Sequence, residues 1–145
     1  MKIKIAWIGK TKEPAIQALT DDYLKRLSRY AEVEAVALKD EAALLKQAGN
    51  ARTKHTLVLL DERGKQFSSA ELAKFFGDYQ DRNPQPLMFA TGPADGFSAE
   101  ARQSAALMLS LSRMTLAHEL ARVVLLEQLY RAFTILKGHP YHLGH

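Results

Sequence analysis

Two short runs, Leu57–Leu60 and Leu87–Ala90, are apolar without interruption. A strand with one wet face alternates apolar and polar residues, whereas a strand covered on both faces does not. The unbroken runs therefore point to a parallel sheet between two layers of helices. The rest of the chain fits that frame. Lys2–Ile8 alternates like a strand and closes at Gly9; Pro14 then stands where a first helical turn tolerates it, with Ile16, Leu19, Tyr23, Leu24 and Leu27 at helical spacing. Val33–Leu38 reads as a strand, Asp40 opens a short helix ending near Gly49, and residues 56–61 form the first buried strand. Ser68 with Glu71 makes a capping box for a helix through Phe75, Phe76 and Tyr79, which Asn83-Pro84-Gln85-Pro86 breaks. After the buried strand at 87–90, a short helix from Ser98, a strand at 107–111 and a long helix from about His118 to Leu136 complete the order. The expected fold is α/β: one domain over residues 1–145, a parallel sheet with helices on both faces.

Composition excludes several chemistries. With 145 residues, 47% hydrophobic and 25% charged, the chain has a core and is not disordered. The absence of cysteine removes disulfides, thiolate nucleophiles and Cys-ligated metals. No apolar run approaches the ~18 residues of a membrane span. The N-terminus lacks the long apolar region and cleavage site of a signal peptide, so the expected location is cytoplasmic, away from membranes. A formal net charge of +4 tilts only mildly toward polyanionic partners.

Familiar nucleotide motifs are missing. Gly9-Lys10-Thr11 follows a strand, but a P-loop needs glycine five positions before its Gly-Lys pair, where this chain has Lys4. Neither a Gly-x-Gly-x-x-Gly turn nor a Gly-x-Ser-x-Gly elbow occurs. Three loops after buried strands remain: Asp61–Gly64, Gly92–Gly96 and Ser112–Thr115. In parallel α/β sheets ligands lie beyond the carboxyl ends of strands, so these loops can build one site, with Leu60, Leu111 and Leu116 walling a slot for a planar base. Composition alone favours ordinary turns. The tail places His139, His142 and His145 at steps of three; Pro140 and the lack of a nearby acid count against a metal site. His139, Tyr141 and His142 can instead cover an active site, or form a solvated terminus. Arg63, Lys65, Arg113, Arg122, Arg131 and Lys137 would bind phosphates if gathered on one rim, and are ordinary solvated charges if spread. The long helix is apolar on several sides, so it is either covered by its own chain or shared with another subunit.

The C-terminal third resembles a known family. Leu111-Ser112-Arg113-Met114-Thr115-Leu116 followed by His118, then Arg122–Ala132, and finally His139-Pro140-Tyr141-His142 are similar to the RlmH family of SPOUT-class methyltransferases. Lys2–Ile5 ending in Gly9-Lys10, Tyr23–Leu27, and Leu59-Leu60-Asp61 with Gly64-Lys65 also fit, so the likeness spans nearly the whole chain. The resemblance implies a C-terminal trefoil knot, S-adenosylmethionine as cofactor, a homodimer without metal, and methylation of N3 of a pseudouridine in large-subunit ribosomal RNA. It also implies that the cofactor meets Leu60, Gly92 and Leu111, Ser112, Arg113, Met114, Thr115 and Leu116. His142 is then the candidate base, Arg122 or Arg113 would steady the developing anion, and Tyr141 would stack on or hydrogen-bond the acceptor. Pro93 and Ala117 depart from the family's usual paired glycine and proline. With one small domain, RNA recognition is expected from the dimer surface, on ribosomes or subunits. The alternative is a non-enzymatic RNA- or nucleotide-binding α/β module.

Overall fold

The computed structural model describes residues 1–49, 52, 54–93 and 95–144, with the side chains of 142 and 144 left out. Its elements are β1 (Lys2–Ile8), α1 (Pro14–Leu27), β2 (Glu32–Leu38), α2 (Glu41–Ala48), β3 (Thr56–Gln66), α3 (Ser69–Arg82), β4 (Leu87–Thr91), α4 (Ala99–Ser104), β5 (Leu107–Ser110) and α5 (His118–Lys137), with a 3₁₀ turn at Pro140–Gly144. The five strands form one sheet in the order β2-β1-β4-β3-β5, and every described pairing is parallel.

The unbroken apolar runs have their cause in two separate cores. Along β4, Leu87 and Phe89 point to a core built with α1, α3 and α5, while Met88 and Ala90 point to a second one built with α2 and α4. Both faces of β4 are therefore dry. The larger core holds Phe76 and Phe133 with ring centroids 5.1 Å apart, and α5 lies between α1 and α3. That placement accounts for the all-round apolar character of α5 within one chain: Val123, Leu125, Leu126, Leu129 and Phe133 are buried by the chain's own sheet and helices. Leu120 and Leu136 stay exposed.

One boundary differs from the sequence reading. β3 does not stop at Asp61 but continues to Gln66. Leu60 and Lys65 both pair with Leu109, so residues 61–64 are extruded from the ladder and pairing then resumes. Gly64 permits this, because a Cβ there would lie 2.6 Å from the Met108 carbonyl oxygen. The expected loop is thus a bulge within a strand. β5 ends at Ser110, one residue short of the expected Leu111.

Candidate functional site: a cleft at the carboxyl ends of the strands

The extruded residues of β3, the segment after β4 and the segment after β5 converge on a cleft of about 510 Å³. This lies within the usual range for small-molecule sites, roughly 300–1,000 Å³. Leu60, Leu111, Leu116 and Phe97 give it apolar walls, and the first turn of α5 closes one side through Ala117, His118 and Ala121. Gly92 brings bare backbone against the Phe97 ring: a Cβ at position 92 would sit 2.8 Å from two of its carbons. Gly96, at φ +86°, makes the turn that delivers Phe97.

The polar groups are anchored by long-range contacts. The Asp61 side chain is only 7% exposed; Oδ2 forms an ion pair with Arg102 at 3.0 Å, and Oδ1 accepts from the Arg63 backbone N–H at 2.8 Å. The Thr115 hydroxyl donates to Glu62 Oε2 at 2.6 Å, tying the segment before α5 to the β3 bulge. The Met114 N–H donates to Ser112 Oγ at 3.0 Å, and the Ser110 hydroxyl donates to the Ser112 carbonyl at 2.9 Å, fixing the path out of β5. Two lining residues hold buried polar atoms without a hydrogen-bond partner among the described residues: Thr91 Oγ1 and Arg102 Nε. Unpaired buried groups of this kind cost roughly 1–3 kcal/mol each, and a bound ligand is one way to offset that.

Of the cofactor residues expected from the sequence, Leu60, Gly92, Leu111, Ser112, Met114, Thr115 and Leu116 all line the cleft. Arg113 does not; it is exposed between two lining residues. Arg122, expected to steady an anion, is 1% exposed and absent from the lining. Its Nη1 and Nη2 donate at 3.1 Å to the Thr11 hydroxyl and the Ile8 carbonyl. Burial lowers its pKa. The structure thus seats this guanidinium on the β1–α1 loop and not among the residues that line the cleft. Tyr141 is also away from the cleft. Its ring meets Tyr130 edge-on at 4.7 Å, the Arg131 guanidinium lies over it at 5.2 Å, and its hydroxyl is 3.4 Å from that of Tyr23. Burial, followed by the Tyr23 contact, pushes the Tyr141 phenol well above its ordinary pKa. The side chains of His142 and His145 lie outside the described residues. Among the described residues no group of three or more acidic or histidine side chains is placed to hold a metal, and no helix is long and apolar enough to cross a membrane. Sequence reasoning did not single out Thr91, Phe97 or Arg102; the first two flank the 92–96 loop without a motif of their own, and Arg102 is brought in by its ion pair with Asp61.

A family model described as a predicted SPOUT methyltransferase matches residues 1–142. The chain belongs to the SPOUT methyltransferase family. It is 59% identical over 146 residues to ribosomal RNA large subunit methyltransferase H of Koribacter versatilis (strain Ellin345), with 100% of both chains covered. The protein of the same name from Geotalea daltonii (strain DSM 22248 / JCM 15807 / FRC-32) is 42% identical over 152 residues, covering 98% of this chain and 99% of that one. Among solved structures, a probable methylase family protein from Haemophilus influenzae Rd KW20 matches with TM-score 0.61 and 11% identity, over 98% of this chain and 69% of that one. The SpoU methyltransferase AviRb from Streptomyces viridochromogenes, solved in complex with the cofactor AdoMet, matches with TM-score 0.51 and 14% identity, over 90% of this chain and 57% of its own. At such low identity these two likenesses speak for the fold alone. SPOUT architecture and the cleft at the strands' carboxyl ends agree with the general rule for ligand sites in parallel α/β sheets.

Proposed function

We propose that this chain is a cytoplasmic, S-adenosylmethionine-dependent methyltransferase that acts on N3 of a pseudouridine in large-subunit ribosomal RNA, on ribosomes or subunits, as a homodimer with the C-terminal trefoil knot its family resemblance implies. The observation that carries this reading is the meeting of Leu60, Gly92 and the 111–116 segment in one cleft. The lining suits the cofactor: leucines and Phe97 offer a slot for adenine, the Thr91 hydroxyl and Arg102 Nε lack partners among the described residues, and Glu62 and Asp95 are carboxylates outside the Asp61–Arg102 ion pair. The two full-length relatives carry the name of a large-subunit ribosomal RNA methyltransferase, which supports the substrate class.

When bound, the sulfonium supplies an already activated methyl group. The chain's own task is then alignment of the acceptor and removal of its imide proton. If that proton's pKa lies about two units above working pH, forming the anion costs roughly 2.7 kcal/mol. His142 is the proposed base. Tyr141, kept neutral by its raised pKa, stacks on or donates to the acceptor and does not take its proton. Tyr141 packs on Tyr130, nine residues along α5 from Ala121 in the cleft wall, and nine helical residues span about 14 Å. We assign the tail that works with a given cleft to the second copy of the homodimer, for which exposed Leu19, Leu120 and Leu136 on α1 and α5 supply apolar surface.

The test is methylation of ribosomes lacking the modification, with the product nucleoside read by mass spectrometry. Methyl at N3 of a pseudouridine, lost in His142→Ala with cofactor affinity kept, is the expected result. RNA binding without cofactor affinity would instead favour a non-enzymatic binding module.

A further inference from the structure

We infer that Glu119 and Arg122, on the first two turns of α5, clasp the β1–α1 loop and thereby position the wall of the cleft. This rests on the cofactor reading above, and it assigns both residues a positioning role without contact to substrate.

The start of α5 has nothing local to fix it. Its N-cap is Ala117, which makes no side-chain cap bond. Glu119 instead reaches across the fold, and its Oε1 accepts from the backbone N–H groups of Lys12 at 2.9 Å and Glu13 at 3.2 Å. These N–H groups lie in the loop just before α1, so one carboxylate ties that loop to the start of α5. One turn on, Arg122 grips the same loop from inside. It bonds Ile8 and Thr11, and its guanidinium lies over the Trp7 ring, 5.3 Å from the centroid. Gly9 turns the chain around that guanidinium at φ +93°. No carboxylate lies within ion-pair distance of Arg122 among the described residues; a carbonyl, a hydroxyl and a ring make its direct contacts, Glu119 adds a longer-range attraction, and Nε has no hydrogen-bond partner among the described residues. On a helix, positions 118 and 121 share one face while 119 and 122 share the next. The former pair lines the cleft and the latter holds the loop, so displacement of the turn moves the wall.

The test compares full-length Arg122→Met, Glu119→Ala and Glu119→Gln with the parent by thermal melting, by titration with S-adenosylmethionine, and by amide exchange over residues 121–124. Methionine fills similar volume and removes the buried charge, which offsets part of the cost of leaving the Ile8 carbonyl and Thr11 hydroxyl without this donor, so Arg122→Met is expected to melt modestly below the parent. Its cofactor dissociation constant should nevertheless rise about tenfold, with faster exchange over 121–124. Glu119→Ala should do the same. Glu119→Gln should restore parent behaviour, because an amide oxygen accepts the same two N–H bonds. A role in stability alone predicts a lowered melting temperature with unchanged affinity, and that result overturns the inference. If Arg122→Met fails to fold, the alanine–glutamine pair at position 119 decides. If the parent itself binds no cofactor, the proposed function has failed, and amide exchange still judges the clasp: equal exchange in parent and Glu119→Ala overturns it.

Discussion

The helices α3 and α5 begin in opposite ways. At α3, Ser68 Oγ accepts from the Glu71 N–H and Glu71 Oε1 accepts from the Ser68 N–H, a closed box within four consecutive residues. At α5, Ala117 contributes no side chain, and the first turn is held by residues more than a hundred positions away. The helices α2 and α4 behave like α3, with Asp40 and Ser98 accepting from N–H groups three residues on. A locally capped start secures a scaffold helix wherever it packs. The start of α5 lines the cleft, and its placement depends on the tertiary fold.

The sharpest way to break this contrast is to attack the part of α5 that is pure scaffold. Phe133 is buried, stacks on Tyr30 with rings 5.9 Å apart, and meets Phe76. Phe133→Ala should cost about 3–5 kcal/mol in denaturant unfolding. A loss under 1 kcal/mol would mean that α5 is not seated as described. Next in size is Gly92→Val, whose side chain must displace the Phe97 ring. Calorimetry should show cofactor affinity falling at least about tenfold, or 1.4 kcal/mol; parent-like affinity would remove Gly92 from the site. Ser68→Ala should lower stability by about 1 kcal/mol and leave cofactor affinity alone, because the box serves only α3. A change in affinity there would erase the distinction between the two helix starts.

The smallest effect is one of pH. Hydrogen bonds from the Lys12 N–H, then from Glu13, hold the Glu119 carboxyl below its ordinary value of 4.5. A carboxyl with a depressed folded pKa contributes stability that is present above its unfolded pKa and lost as pH falls through the folded one. Melting temperature should therefore drop more steeply for the parent than for Glu119→Gln as pH is lowered below 4.5. Identical acid limbs would show that the carboxylate bonds are not formed in solution.

These contrasts also explain what was legible in the sequence. Pro14, Asp40, Ser68 with Glu71, and Ser98 act on neighbours within a few residues, so their helices could be placed from the text of the chain. The buried strands followed from unbroken apolar runs, because two cores leave no wet face on β4. The extrusion of residues 61–64 was hidden: it depends on Gly64 meeting the Met108 carbonyl, a contact between strands far apart in sequence. Arg122 misled for a related reason. Arginine is ordinarily exposed, and only the Trp7–Ile8–Thr11 seat, formed by the folded sheet, makes its burial tolerable. The 111–116 segment was marked by its place after a buried strand and by its resemblance to a family; Thr91 and Phe97 flank the 92–96 loop without a motif of their own, and Arg102 enters the cleft through its ion pair with Asp61.

Isothermal titration of the full-length protein with S-adenosylmethionine bears most directly on the cleft. Saturable binding at one molecule per chain, weakened at least about tenfold by Gly92→Val, is the predicted result. A flat titration of folded parent protein would contradict the account.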